Sequence, residues 1–109
     1  PTGSTAYSLS VGGPILIPNT QNFIISPISP HNLTVRPIVV PNHHEITLRV
    51  EGRSESYLAS LDSRSCTFES SIELKIRRAD CQIKVLKLKT HSFYGTLRNK
   101  LMWGVDKRN

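Results

Sequence analysis

The sequence predicts a mainly β fold: an antiparallel β-sandwich with a short helix after its opening loop and one amphipathic helix near its C-terminus. Three observations carry that expectation. Prolines at 14, 18, 27, 30, 37 and 41 exclude long helices from that stretch, because each removes a backbone donor and crowds the preceding turn. Short β-branched or alternating runs, separated by turn residues, fill most of the remaining chain. Only Phe93, Leu97 and Leu101 recur at helical spacing. Many short strands with turns between them favour an antiparallel sandwich over a sheet of βαβ units.

Residues 1–14, PTGSTAYSLSVGGP, combine small hydroxyls, glycines and one aromatic. Gly3, Gly12 and Gly13 can present bare backbone to a ligand. Ser4 or Thr5 is a natural N-cap, so a short helix is predicted over residues 6–10, ended by Gly12 and Gly13. A helix start lined with hydroxyls suits an anionic or strongly polar group. Tyr7 adds an aromatic face, and Ser10 returns one turn later on the side of Ala6 and Tyr7. The same composition also fits a plain Gly/Ser turn capping an ordinary helix.

β-rich runs follow at residues 15–17, 23–25 and 35–40. Residues 45–51 alternate polar and apolar as a half-buried strand ended by Gly52, and residues 57–61 are predicted to run back against it. Residues 72–78 and 83–85 alternate in the same way, with residues 79–82 as their hairpin connection. The phase slips at Leu86 and recovers at Leu88, the pattern of a bulge or of a strand buried on both faces. His91 and Ser92 offer a cap to the final helix, which is expected to pack Phe93, Leu97 and Leu101 on a sheet. Trp103 is expected to bury against the same core.

With 109 residues the chain has the size of one domain, expected over residues 1–109. Hydrophobic content of 38% and charge of 20% fit a folded globular protein rather than a disordered one. No apolar run approaches the roughly 20 residues of a membrane span, so no membrane partner is expected; the two cysteines, with no disulfide framework, make a cytoplasmic home the expectation. The net charge of +6 is either attraction to polyanions or the imbalance of one slice of a larger protein. With few aromatics to stack bases, no nucleic acid is expected as a partner. Cys66 and Cys81 make no disulfide framework and are expected reduced. His43, His44, Cys66 and Cys81 lack metal-ligand spacing, so no metal site is expected, and His43-His44 reads as a polar turn.

Beyond composition, the string PTGSTAYSLSVGGPI resembles the signature of the NAD kinase family. Three further blocks match that family in order: residues 27–41 (PISPHNLTVRPIVVP), 60–64 (SLDSR) and 93–104 (FYGTLRNKLMWG). The resemblance is to the C-terminal domain of the ATP- or polyphosphate-dependent bacterial type. It implies transfer of a phosphoryl group to the adenosine-ribose 2′-hydroxyl of NAD, with divalent metal (Mg) and ATP or polyphosphate as donor. It also implies a homodimer or homotetramer. A two-domain parent is implied, and this chain is expected to be most of its β-sandwich, incomplete at the N-terminal side and opening within the motif. The family's Gly-Asp-Gly-Thr loop and its Asn-Glu pair do not occur here. No catalytic residue is therefore expected in this chain, and the fragment is expected to be inactive alone. The competing reading is a non-catalytic β-sandwich for binding or assembly, related to lipid kinases.

By resemblance, Thr5, Ala6, Tyr7 and Ser10 contact NAD, with Ser8 and Leu9 in the same turn. Ser29 aligns with a position that approaches the nicotinamide end of a neighbouring subunit's site, where relatives often carry Cys or Ala; its plainer reading is a proline-framed turn. Arg64 aligns with an NAD contact of some relatives, but Ser63 stands where many have Gly, so the loop is expected to differ. Arg36 is expected to lock a loop through backbone hydrogen bonds rather than bind phosphate, and His31 is expected to be structural.

Overall fold

A computed structural model describes residues 1–108. They fall into two compact units: Pro1–Val40 together with the segment from Asp80 onward, and Pro41–Ala79. The molecule is mainly strand, with antiparallel pairing and two short helices, as the sequence predicts.

In the first unit, Thr2–Thr5 forms one turn of 3-10 helix and Tyr7–Ser10 a single α turn, α1. Ala6 sits between them at φ −98° and ψ −126°, neither helical nor extended, and breaks the two turns apart. The predicted N-cap at Ser4 or Thr5 is therefore corrected to Ala6, with no side-chain cap. The reason is local competition: the Ser4 hydroxyl is taken by the backbone of Leu16. That same bond explains why residues 15–17 form no strand, since Leu16 gives its N–H to a side chain instead of a ladder.

β1 (Asn22–Ile25) pairs with β2 (Ile38–Pro41), whose last residue begins the second unit. Each overlaps a run that the sequence marks as β-rich, 23–25 and 35–40, and reaches one residue beyond it, at Asn22 and Pro41. Late in the chain, α2 (Phe93–Leu101) starts where predicted: the Ser92 Oγ accepts the Gly95 N–H at 3.0 Å, and Thr96 Oγ1 donates to the Ser92 carbonyl at 3.0 Å. Arg98 and Lys100 in its last turn complement the helix dipole. Leu97 is buried and Phe93 half-buried, but Leu101 is exposed. Trp103, expected in the core, is 68% exposed. The helix ends in a left-handed turn at Met102, φ 56°, and the Trp103 N–H closes that turn on the Leu97 carbonyl at 3.3 Å. The turn fixes the Trp103 backbone while its ring stays in solvent.

The second unit holds two antiparallel pairs. β3 (Ile46–Leu48) lies against β6 (Leu74–Ile76), with Ile46 opposite Ile76 and Leu48 opposite Leu74. Ion pairs Lys75–Glu45, at 3.4 Å, and Arg49–Glu73 flank this pair. Being exposed, they add register more than stability. β4 (Ser56–Leu61) and β5 (Arg64–Glu69) form a hairpin through Asp62 and Ser63. One face of the hairpin sets Tyr57 opposite Phe68, rings 6.1 Å apart, and Phe68 is the buried hydrophobic residue of this unit. The other face carries the Ser60–Ser65 hydroxyl pair at 2.9 Å.

These pairings correct two expectations. Residues 45–51 do not pair with residues 57–61, because β4 closes a two-residue turn onto β5, a far shorter loop than any alternative. Residues 72–78 do not form a hairpin with residues 83–85. β6 takes β3 as its partner, residues 83–85 carry no strand, and the predicted connection at residues 79–82 is where the chain passes between the units. No helix of the described residues is long and apolar enough to cross a membrane.

Candidate functional site

Hydroxyls and glycines give the opening segment its shape. The chain turns first through Ser4 N–H to Pro1 O at 2.9 Å and Ala6 N–H to Gly3 O at 3.0 Å. It turns again through Leu9 N–H to Ala6 O and Gly12 N–H to Leu9 O, both at 3.1 Å. Gly12 takes φ 81°, a conformation that favours glycine. Gly13 then returns its N–H to the Ser8 carbonyl at 2.8 Å.

This path leaves Thr5, Ala6, Tyr7 and Ser10 exposed and Ser8 and Leu9 half-buried. Tyr7 is 69% exposed, so its ring is free to lie flat against a ligand. The Ser10 Oγ donates to the Tyr7 carbonyl at 2.6 Å, and the Thr5 Oγ1 donates more loosely to Thr2 O at 3.4 Å. With its proton committed inward, Ser10 offers outward lone pairs, and a ligand group meeting it would be a donor. The helix expected to aim its N-terminus at an anion is one turn long, so side chains rather than a helix end define this surface.

Behind α1 lies a cleft of about 350 Å³ whose walls include Tyr7, Ser8, Val11, Leu16, Phe23 and Ile28. Ser8 and Ser26 are among its lining residues, and their Oγ atoms are shut off from solvent, without a hydrogen-bond partner among the described residues. Such groups are costly to leave unmet. Ser26 was not singled out by sequence, since a serine before a proline looks like any turn residue.

Ser29 belongs to the same unit, is exposed, and takes the left-handed conformation at φ 49°. A non-glycine residue held there is the kind of outlier that gathers at binding sites. Arg64 lies in the other unit, at the start of β5 and opposite Leu61. In the hairpin turn before it the left-handed residue is Asp62, at φ 53°, which aspartate tolerates better than most. Arg36 does what the sequence suggests, donating from Nη1 to the Leu33 and Val35 carbonyls at 2.8 and 2.9 Å. Cys66 and Cys81 are both free and exposed.

Comparison with known proteins bears on the same segment. A family model described as the ATP-NAD kinase C-terminal domain matches residues 1–88, which include the whole opening segment. The chain is 56% identical over 109 residues to an NAD kinase of Flavobacterium johnsoniae and 53% identical over 109 residues to one of Cytophaga hutchinsonii. It is 55% identical over 108 residues to one of Bacteroides fragilis. All or nearly all of the chain is covered in each case, and it spans 37% of the length of these relatives.

Proposed function

The chain belongs to the NAD kinase family through its C-terminal domain, and from that premise we propose that it is the NAD-binding and oligomer-forming part of a longer kinase. That kinase phosphorylates the adenosine-ribose 2′-hydroxyl of NAD to give NADP. The observation that carries the reading is the exposure of Thr5, Ala6, Tyr7 and Ser10 on one short turn inside the family's matched region.

Each residue has a distinct part. Tyr7 supplies a flat aromatic face for the nucleotide. Ala6, with only a methyl group, permits close approach. Ser10 accepts from a ligand donor, an amide or a ribose hydroxyl, while Thr5 contributes a second hydroxyl. Ser8 and Leu9 hold the turn that presents them. Ser29 and Arg64 are proposed as outer contacts, Ser29 toward a neighbouring subunit's ligand. We propose a homodimer or homotetramer, to be read by light scattering, in a cytoplasmic setting.

Phosphoryl transfer further requires a positioned donor and usually a metal. Among the described residues no group of three or more His, Cys, Asp or Glu is gathered to hold an ion. We propose the divalent metal (Mg) and the ATP or polyphosphate donor for the full-length kinase. Gly-Asp-Gly-Thr does not occur in it, so the chain by itself is proposed to bind without catalysing.

The test is steady-state kinetics on the full-length enzyme carrying Tyr7→Ala and Ser10→Ala together. The NAD KM is expected to rise about tenfold, the equivalent of roughly 1.4 kcal/mol. An unchanged NAD KM would overturn the reading.

A further inference from the structure

Ser4 is the most deeply buried polar residue described, 3% exposed, and it directly precedes the exposed Thr5, Ala6 and Tyr7. Its Oγ accepts the Leu16 N–H at 2.9 Å and stands 3.5 Å from the Leu16 carbonyl. That contact joins residues twelve apart and closes the whole opening segment into a loop. At the far side of α1, Gly13 closes a second, smaller loop on the Ser8 carbonyl. The two closures bracket Ala6, where the chain breaks direction, and Tyr7, whose ring is free.

We propose that Ser4 is a positioning residue for NAD: its hydroxyl clamps the opening loop onto Leu16 and thereby sets the orientation in which Thr5, Ala6 and Tyr7 meet the dinucleotide. The inference rests on the NAD-binding reading of residues 5–10. The physical case is that a one-turn helix holds no shape of its own. Without the clamp, the Leu16 N–H loses its partner and the loop gains conformations, so ligand binding must order it again. Binding weakens, while a step catalysed elsewhere in the protein keeps its rate once NAD is bound.

Full-length enzyme carrying Ser4→Ala, Ser4→Thr, or the Tyr7→Ala and Ser10→Ala pair tests this. For Ser4→Ala the NAD KM is expected to rise five- to twentyfold, with kcat within about twofold and the phosphoryl-donor KM unchanged. Ser4→Thr, which keeps the hydroxyl, is expected to recover most of the NAD affinity. A purely structural role would instead lower kcat in proportion to lost folded enzyme and leave both KM values alone, and that result overturns the proposal. Should Ser4→Ala fail to fold, Ser4→Cys, of similar size but with a weak acceptor, reads the same split. If the Tyr7/Ser10 pair raises the NAD KM and the Ser4 variants do not, the clamp is wrong and the site stands. If the pair has no effect, the site itself is wrong.

Discussion

Gly13 donates its N–H to the Ser8 carbonyl at 2.8 Å, and a Cβ on Gly13 would lie 2.7 Å from that same oxygen. The neighbour is backbone, which cannot swing aside. Gly13→Ala is therefore expected to destabilise the opening loop by about 1–3 kcal/mol. Thermal or denaturant unfolding of the variant checks it, and a stability equal to the parent's would show that the loop can shift at no cost.

The start of α2 depends on one hydroxyl. Ser92 Oγ meets the otherwise unpaired N–H of Gly95. Ser92→Ala is expected to cost about 1 kcal/mol and to speed amide exchange in the first turn of α2. Hydrogen exchange at Gly95 is the direct readout.

At the other end of α2, Met102 holds φ 56° and leaves nearly half of its surface in solvent. A glycine there relieves the crowding of Cβ and gives up little burial. Met102→Gly is expected to stabilise the helix end by about 1 kcal/mol. A lower melting temperature would contradict that.

Much of this was legible in the sequence, and what was missed has a common cause. β1, β4, α2 and its Ser92 cap announce themselves through neighbours: β-branched runs, alternation, helical spacing. β5 is written as Arg64-Ser65-Cys66-Thr67-Phe68-Glu69, with a single large apolar residue, and shows no alternation to find. The β3–β6 pairing joins segments more than twenty residues apart, which no local signal encodes. The site divides in the same way. The hydroxyl and aromatic segment from Thr5 to Ser10 is readable from composition and resemblance. Ser4, read as an N-cap, turned out to be a clamp, because its partner Leu16 is distant in sequence. Trp103 misled through its hydrophobicity alone, since the left-handed turn before it decides where it goes.

Near the C-terminus, Arg108 holds the Asp106 carboxyl below the ordinary aspartate value, through its side chain first and its backbone N–H second. A lowered folded-state pKa means that this turn's contribution is present above the ordinary aspartate value and lost as pH falls through the lowered one. Carboxyl NMR titration is expected to give a depressed midpoint for Asp106, restored toward normal in Arg108→Ala. Identical midpoints in parent and variant would remove the ion pair from the account.

Binding of NAD by residues 5–10 is tested by calorimetric titration of NAD into full-length enzyme, with wild type beside the Tyr7→Ala and Ser10→Ala double variant. Binding in the wild type, weakened about tenfold or more in the variant, is the result predicted here. Equal affinity in the two proteins would contradict it.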